Sequence, residues 1–99
     1  MKVTRRPQFL TDLEEAADYL QTEAGDLVVA RWRESIRRTI KLVKQFPKLG
    51  RLRTDLPMEG IRTFNIKGFP NWLLFYRCGR HHVELLRVKH GMMHLPDLF

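Results

Sequence analysis

The sequence predicts an α+β domain in which a helical hairpin covers one face of a small, mainly antiparallel sheet. The expected order is β-α-α-β-β-β. Three observations carry this. Apolar residues recur at three- and four-residue spacing through the first half of the chain. The period then shortens after Pro47, where short apolar runs alternate with glycine-bearing turns. Both halves are left with an apolar surface that only the other can cover.

Lys2 to Arg5 is long enough for one short strand. Pro7 follows where a first helical turn tolerates it, since the missing N–H has no intrahelical partner there. Phe9, Leu13, Ala16, Ala17 and Leu20 mark one face of a helix that Gly25 stops. Asp12, Glu14 and Glu15 lie early in it and are expected to complement the positive end of the dipole. Asp26 is a candidate cap for a second helix over about 27 to 46, ended by Pro47. Val29, Trp32, Ile36, Ile40, Val43 and Phe46 form its apolar stripe, and Arg33, Arg37, Lys41 and Lys44 line another face. The short link at Gly25 makes the two helices an antiparallel hairpin, acidic on one outer surface and basic on the other.

Beyond Pro47, a loop holding Gly50, Pro57 and Gly60 leads to a strand at Ile61–Ile66. Lys67-Gly68-Phe69-Pro70-Asn71 reads as a turn. Trp72–Arg77 is apolar on both faces, as expected of a strand central to its sheet. Gly79-Arg80 reads as a two-residue hairpin turn into a strand at His82–Lys89. Pro96 limits regular structure in the tail, 90–99. No repeat or low-complexity tract is present, and the 99 residues are expected to form a single domain over 1–99.

Cys78 is the only cysteine, which excludes an internal disulfide and suits a reducing, cytoplasmic setting. The N-terminal charges have no apolar run behind them, so no secretory signal is expected. The longest apolar stretch, Trp72 to Tyr76, is far short of the ~20 residues that span a bilayer, so no membrane association is expected. Net charge is +7, which favours encounter with anionic partners without choosing among them. Residues 12–26 hold six of the eleven acids and residues 31–53 nine of the eighteen bases, so the imbalance is local.

Familiar catalytic sets are scarce. Ser35, the only serine, falls mid-helix with no base or oxyanion site in view. Cys78 reads as a packing thiol. His90 and His94 are four apart, but Gly91 and Pro96 interrupt a helix there, and His81-His82 sits at a turn; no metal and no cofactor is expected. The basic second helix reads as a solvated face in preference to a phosphate track, because its aromatics fall elsewhere. Trp32, Phe46, Phe64, Trp72 and Phe75 are expected in the core. Arg62, Arg77, Arg87, Lys89 and His90 all lie on predicted strands or at their ends. Such cations repel one another unless that surface meets an acidic or phosphate-bearing partner; alternatively, they are outward-facing residues that guard a sheet edge.

Several segments together resemble the RelE/ParE toxin superfamily. They are Phe9-Leu10-Thr11-Asp12-Leu13, Phe46-Pro47-Lys48-Leu49-Gly50-Arg51, and Ile61-Arg62 through Phe75-Tyr76-Arg77. The tail, Arg87-Val88-Lys89-His90-Gly91 and then Leu95-Pro96-Asp97-Leu98-Phe99, resembles the ParE branch in particular. The resemblance implies the toxin of a type II toxin–antitoxin system, associated with plasmid stabilisation and stress response. It implies a cognate antitoxin that folds across the toxin, and operator DNA contacted only through that antitoxin. ParE-like members poison DNA gyrase, whereas RelE-like members cleave mRNA on the ribosome; an inactive antitoxin-binding module is a third reading.

The nuclease positions are poorly matched. Trp72 or Leu73 stands where RelE-like chains place a strand arginine, Met92-Met93 replaces a later one, and Leu98-Phe99 supplies no terminal tyrosine. A nuclease here would rely on Arg87, Lys89 and His90. Many ParE relatives follow the His-Gly pair with two arginines and an aspartate, where this chain has Met92, Met93 and His94. Residues expected to meet the target or the antitoxin are Arg62, Arg77, Arg87, Lys89, His90, Leu95, Pro96, Leu98 and Phe99. The antitoxin groove is expected to include Leu20, Trp32 or the C-terminal sheet edge.

Overall fold

The computed structural model describes residues 1–91 and Phe99. Strand β1 (Lys2–Arg5) leads through α1 (Pro7–Ala24) and α2 (Asp26–Gln45) to β2 (Arg51–Leu52), β3 (Ile61–Ile66), β4 (Phe69–Cys78) and β5 (His82–His90). The five strands form one sheet in the order β1-β5-β4-β3-β2. β1 runs parallel to β5, and the other neighbours are antiparallel. The helical hairpin therefore carries the chain from one sheet edge to the other.

α1 opens with Pro7 in its first turn, as the sequence predicts. Gly25 ends α1 and begins α2 at once. At φ +87 it occupies the left-handed region that favours glycine, and its N–H reaches the carbonyls of Leu20 and Gln21 at 3.1 Å. Asp26 is thus not the cap but the first residue of α2, and makes no capping hydrogen bond to the helix. The acids of α1 also need correction: no acid lies in its first turn, because the helix already starts at Pro7. Asp12, Glu14 and Glu15 come too late for the dipole, whose influence fades within that turn.

Phe9, Ala16 and Leu20 of α1 and Trp32, Ile36 and Val43 of α2 pack on Ile66, Leu74, Tyr76, Val83, Leu85 and Val88. Phe46 was expected to extend this stripe but is 53% exposed. α2 stops at Gln45, and Phe46 at φ −128, ψ 75 leaves the helical path, so the stripe no longer follows the core. Leu20 and Trp32, expected at a groove, are closed inside this core at 8% and 0% exposure.

β4 is central, with β5 and β3 on either side. Leu74 and Tyr76 face the helices, while Leu73 and Phe75 join Leu56, Met58, Ile61, Leu86 and Phe99 in a second cluster on the opposite face. This is why Trp72–Arg77 is apolar on both sides. The register slips between Phe75 and Tyr76, which face Arg87 and Leu85, leaving Leu86 as the extra residue of a bulge. As a result, consecutive Leu85 and Leu86 are both fully buried, one in each cluster.

Three sequence expectations shift at the strand ends. The turn read over 67–71 shrinks, because Phe69, Pro70 and Asn71 already belong to β4. The turn after Cys78 has three residues rather than two, closed by Gly79 N–H donating to His82 O at 2.8 Å. β2 was read as loop; it is a two-residue edge strand, held because Arg51 and Leu52 pair with Thr63 and Arg62.

Candidate functional site

The cations singled out on the strands do not face one another unshielded, because acids of the same chain neutralise most of them. On α1, Asp12 shares the buried face with Phe9, Ala16 and Leu20 and is 2% exposed. Arg87 approaches it with two parallel bonds, Nε to Oδ2 at 2.7 Å and Nη2 to Oδ1 at 3.0 Å. Lys89 Nζ lies 3.1 Å from Oδ1 and 3.6 Å from Glu15 Oε2. Val88 N–H donates to Oδ2 at 3.2 Å. A carboxylate this deeply buried needs such partners, since an unpaired one would be strongly destabilising. The hydrogen bond to Asp12 in turn pushes the Arg87 guanidinium up from its already high value, so it stays charged.

The location follows from topology. β1 pairs with β5 only from His82 to Leu85. Beyond Leu85 no strand among the described residues lies beside this edge of β5, and the Asp12 carboxylate takes the Val88 amide there. At the covered part of that edge, Glu84 is held between Arg77 Nη2 at 2.8 Å and Arg6 Nε at 3.2 Å. Burial would push the Glu84 carboxyl up, but the hydrogen bonds and charges of Arg77 and Arg6 outweigh it and hold the group below its ordinary value.

Arg62 has a different role: Nη1 donates to Gly50 O at 2.8 Å and Lys48 O at 3.3 Å. It thereby ties β3 to the segment after α2. Tyr76 reinforces the same segment, its hydroxyl donating to Pro47 O at 2.8 Å and accepting from Gly50 N–H at 2.7 Å. Burial pushes the Tyr76 phenol up, so it remains a donor. A Cβ on Gly50 would stand 2.5 Å from the Tyr76 hydroxyl oxygen, which explains a glycine at that point. The Cys78 thiol donates to Pro47 O at 3.1 Å, and burial pushes it up, away from a reactive thiolate.

His90 stands edge-on to Trp72, with ring centroids 5.5 Å apart, and Trp72 in turn contacts Tyr19 and Trp32. Asp12, Glu15, Tyr19, Trp72, Lys89 and His90 border a cavity of about 120 Å³. Enclosed ligand sites usually measure ~300–1,000 Å³, so among the described residues this seam is not a ligand cavity of that kind. Phe99 packs against Phe75 at 5.6 Å between centroids. Leu95, Pro96 and Leu98, like Met92, Met93 and His94, lie outside the described residues. Among the described residues, no three His, Cys, Asp or Glu side chains are grouped as metal ligands, and no helix is long and apolar enough to cross a membrane.

The structure therefore joins Arg87, Lys89 and His90 along one seam, places Arg77 beside Glu84, and sets Arg62 apart near Gly50. Sequence reasoning missed the acids, Asp12 and Glu84. A signal for Asp12 was present: it falls in the 9–12–16–20 rhythm of the buried face of α1, where an isolated carboxylate demands a cationic partner.

A two-helix hairpin laid across a five-stranded, mainly antiparallel sheet is also the architecture of a solved structure described as the chromosomal ParDE TA system from P. aeruginosa. The likeness covers 91% of this chain and 95% of that one, with a TM-score of 0.75 and 18% identity. At the level of sequence, the family model "ParE toxin of type II toxin-antitoxin system, parDE" matches residues 3–95. The chain belongs to the ParE toxin family of type II toxin–antitoxin systems. A comparison with curated proteins finds no match.

Proposed function

We propose that this chain is a cytoplasmic, single-domain toxin that inhibits DNA gyrase by binding it and is neutralised by a cognate antitoxin. The observation that carries the reading is the family match over residues 3–95, joined to the state of the strand cations. Ribonucleolytic catalysis needs basic groups aimed at a phosphate and a side chain able to move a proton. Arg87 and Lys89 instead grip Asp12 at 2.7 and 3.1 Å, and the cavity beside them holds about 120 Å³. These facts support a toxin that acts through its surface rather than through a nuclease centre. Operator DNA is contacted through the antitoxin, and no cofactor takes part.

The test is expression of the chain without an antitoxin. The expected result is growth arrest with stalled DNA replication and intact mRNA. Fragmented mRNA would favour a RelE-like ribonuclease using Arg87, Lys89 and His90, and unimpaired growth would favour an inactive antitoxin-binding module.

A further inference from the structure

Eight large hydrophobic residues are exposed among the described residues, and four of them lie within one short stretch. Leu42, Phe46, Leu49 and Leu52 are 38%, 53%, 46% and 49% exposed. Single exposed apolar residues are ordinary, but two in one concavity are not; Phe46 and Leu49 share one, whereas Leu42 and Leu52 line separate ones. Phe46 is four residues beyond Leu42, and its N–H bonds to Leu42 O at 2.8 Å, so the two follow one another at the end of α2. Phe46 and Leu49 border a concavity of about 600 Å³ together with Pro47, Cys78 and Arg80. Its rim is held in place by Tyr76 at Pro47 and Gly50 and by Arg62 at Lys48 and Gly50. A partner docking there would not have to order the segment first.

The charge around this patch is one-sided. Residues 35–54 contain seven bases and no acid. Arg37 and Arg38 pair with Glu34, and Arg53 pairs with Asp55. Lys41, Lys44, Lys48 and Arg51 have no ion-pair partner among the described residues. A second copy of this chain would bring like charge against like. A nucleic acid would find a single ring, Phe46, beside leucines that offer nothing to a phosphate or a base.

We propose that the concavity at Phe46 and Leu49 is a docking site for an acidic protein segment that seats apolar side chains on these two residues. This rests on the antitoxin reading above and assigns the antitoxin's acidic segment to a surface separate from the Asp12–Arg87 seam. The basic rim steers the segment in, and the apolar centre holds it.

The test uses the full chain and a labelled synthetic helix with Leu on one face and Glu elsewhere, followed by fluorescence anisotropy. Comparison probes replace every Glu with Lys, or every Leu with Ala, and a single-stranded oligonucleotide serves as competitor. Phe46→Ala and Leu49→Ser are each expected to weaken binding about ten-fold. Leu27→Ser, at a residue 66% exposed near the other end of α2, is expected to leave it unchanged. Half-exposed Phe46 and Leu49 are outside the buried clusters, and thermal melts of each variant check that folding is intact.

The proposal is overturned if the acidic Leu-bearing helix does not bind, or if the Lys probe binds as well. Equal loss in Leu27→Ser, efficient displacement by the oligonucleotide, or a concentration-dependent dimer abolished by Leu49→Ser would also overturn it. Binding through Phe46 and Leu49 by a chain that leaves gyrase untouched would defeat the gyrase reading alone. Gyrase inhibition without this binding would defeat the docking site alone.

Discussion

Arg87 on β5 and Asp12 on α1, 75 positions apart in sequence, are joined by two hydrogen bonds of 2.7 and 3.0 Å. The pair meets the edge of β5 where β1 no longer covers it, and it ties α1 to the sheet. It also converts two strand cations from a source of repulsion into part of the fold. What remains positively charged toward a partner lies elsewhere, chiefly at the end of α2.

Asp12→Ala removes the buried carboxylate that Arg87 and Lys89 share, leaving only the more distant, exposed Glu15 beside Lys89, and it leaves the Val88 amide without its acceptor. Losing one member of a buried ion pair costs about 3–5 kcal/mol, against a total stability of roughly 5–15 kcal/mol for a chain of this size. The urea midpoint is expected to fall sharply. Replacing all three residues with apolar ones, Asp12→Leu with Arg87→Met and Lys89→Met, is expected to recover most of the loss. An Asp12→Ala midpoint equal to that of the parent would mean the pairing contributes nothing.

Tyr76→Phe keeps the ring in the core and removes only the hydroxyl between Pro47 and Gly50. The Gly50 N–H is then buried without an acceptor, at a cost of about 1–3 kcal/mol, or several degrees in Tm for a domain of this size. Hydrogen exchange at Gly50 is expected to accelerate more than exchange in β5. Unchanged protection at Gly50 would show that Arg62 alone secures the segment.

Glu84 makes stability depend on acid pH. Its folded-state pKa lies below the ordinary 4.5, so the stability it contributes is present above that value and is lost as pH falls through the depressed one. Asp55 is pushed down to about 2 by its hydrogen bond from Arg53, but it is fully exposed and its pair is screened by solvent. Glu84→Gln is therefore expected to lower Tm at neutral pH and to flatten the decline below about pH 4.5. Thermal melts across that range would refute this if parent and variant declined in parallel.

The helices were legible in the sequence from their three- and four-residue rhythm, and β3, β4 and β5 as short apolar runs bounded by glycine-bearing turns. β2 was not, since two residues have no period and Arg51–Leu52 is a strand only because β3 lies beside it. Phe69 to Asn71 read as a turn because Pro70 and Asn71 break local patterns, yet pairing with β3 extends β4 through them. The candidate cations were found by residue type, whereas the pairing of Arg87 with Asp12 spans 75 positions and that of Arg77 with Glu84 depends on the register of β4 and β5. Phe46 was misplaced for the opposite reason: the helical rhythm continued one residue past the helix.

The most direct test of the central claim is DNA supercoiling by purified gyrase, titrated with the purified, antitoxin-free chain. Supercoiling is expected to fall as toxin is added, and cleaved DNA to accumulate. Full supercoiling at saturating toxin, with no cleaved DNA, would contradict the claim.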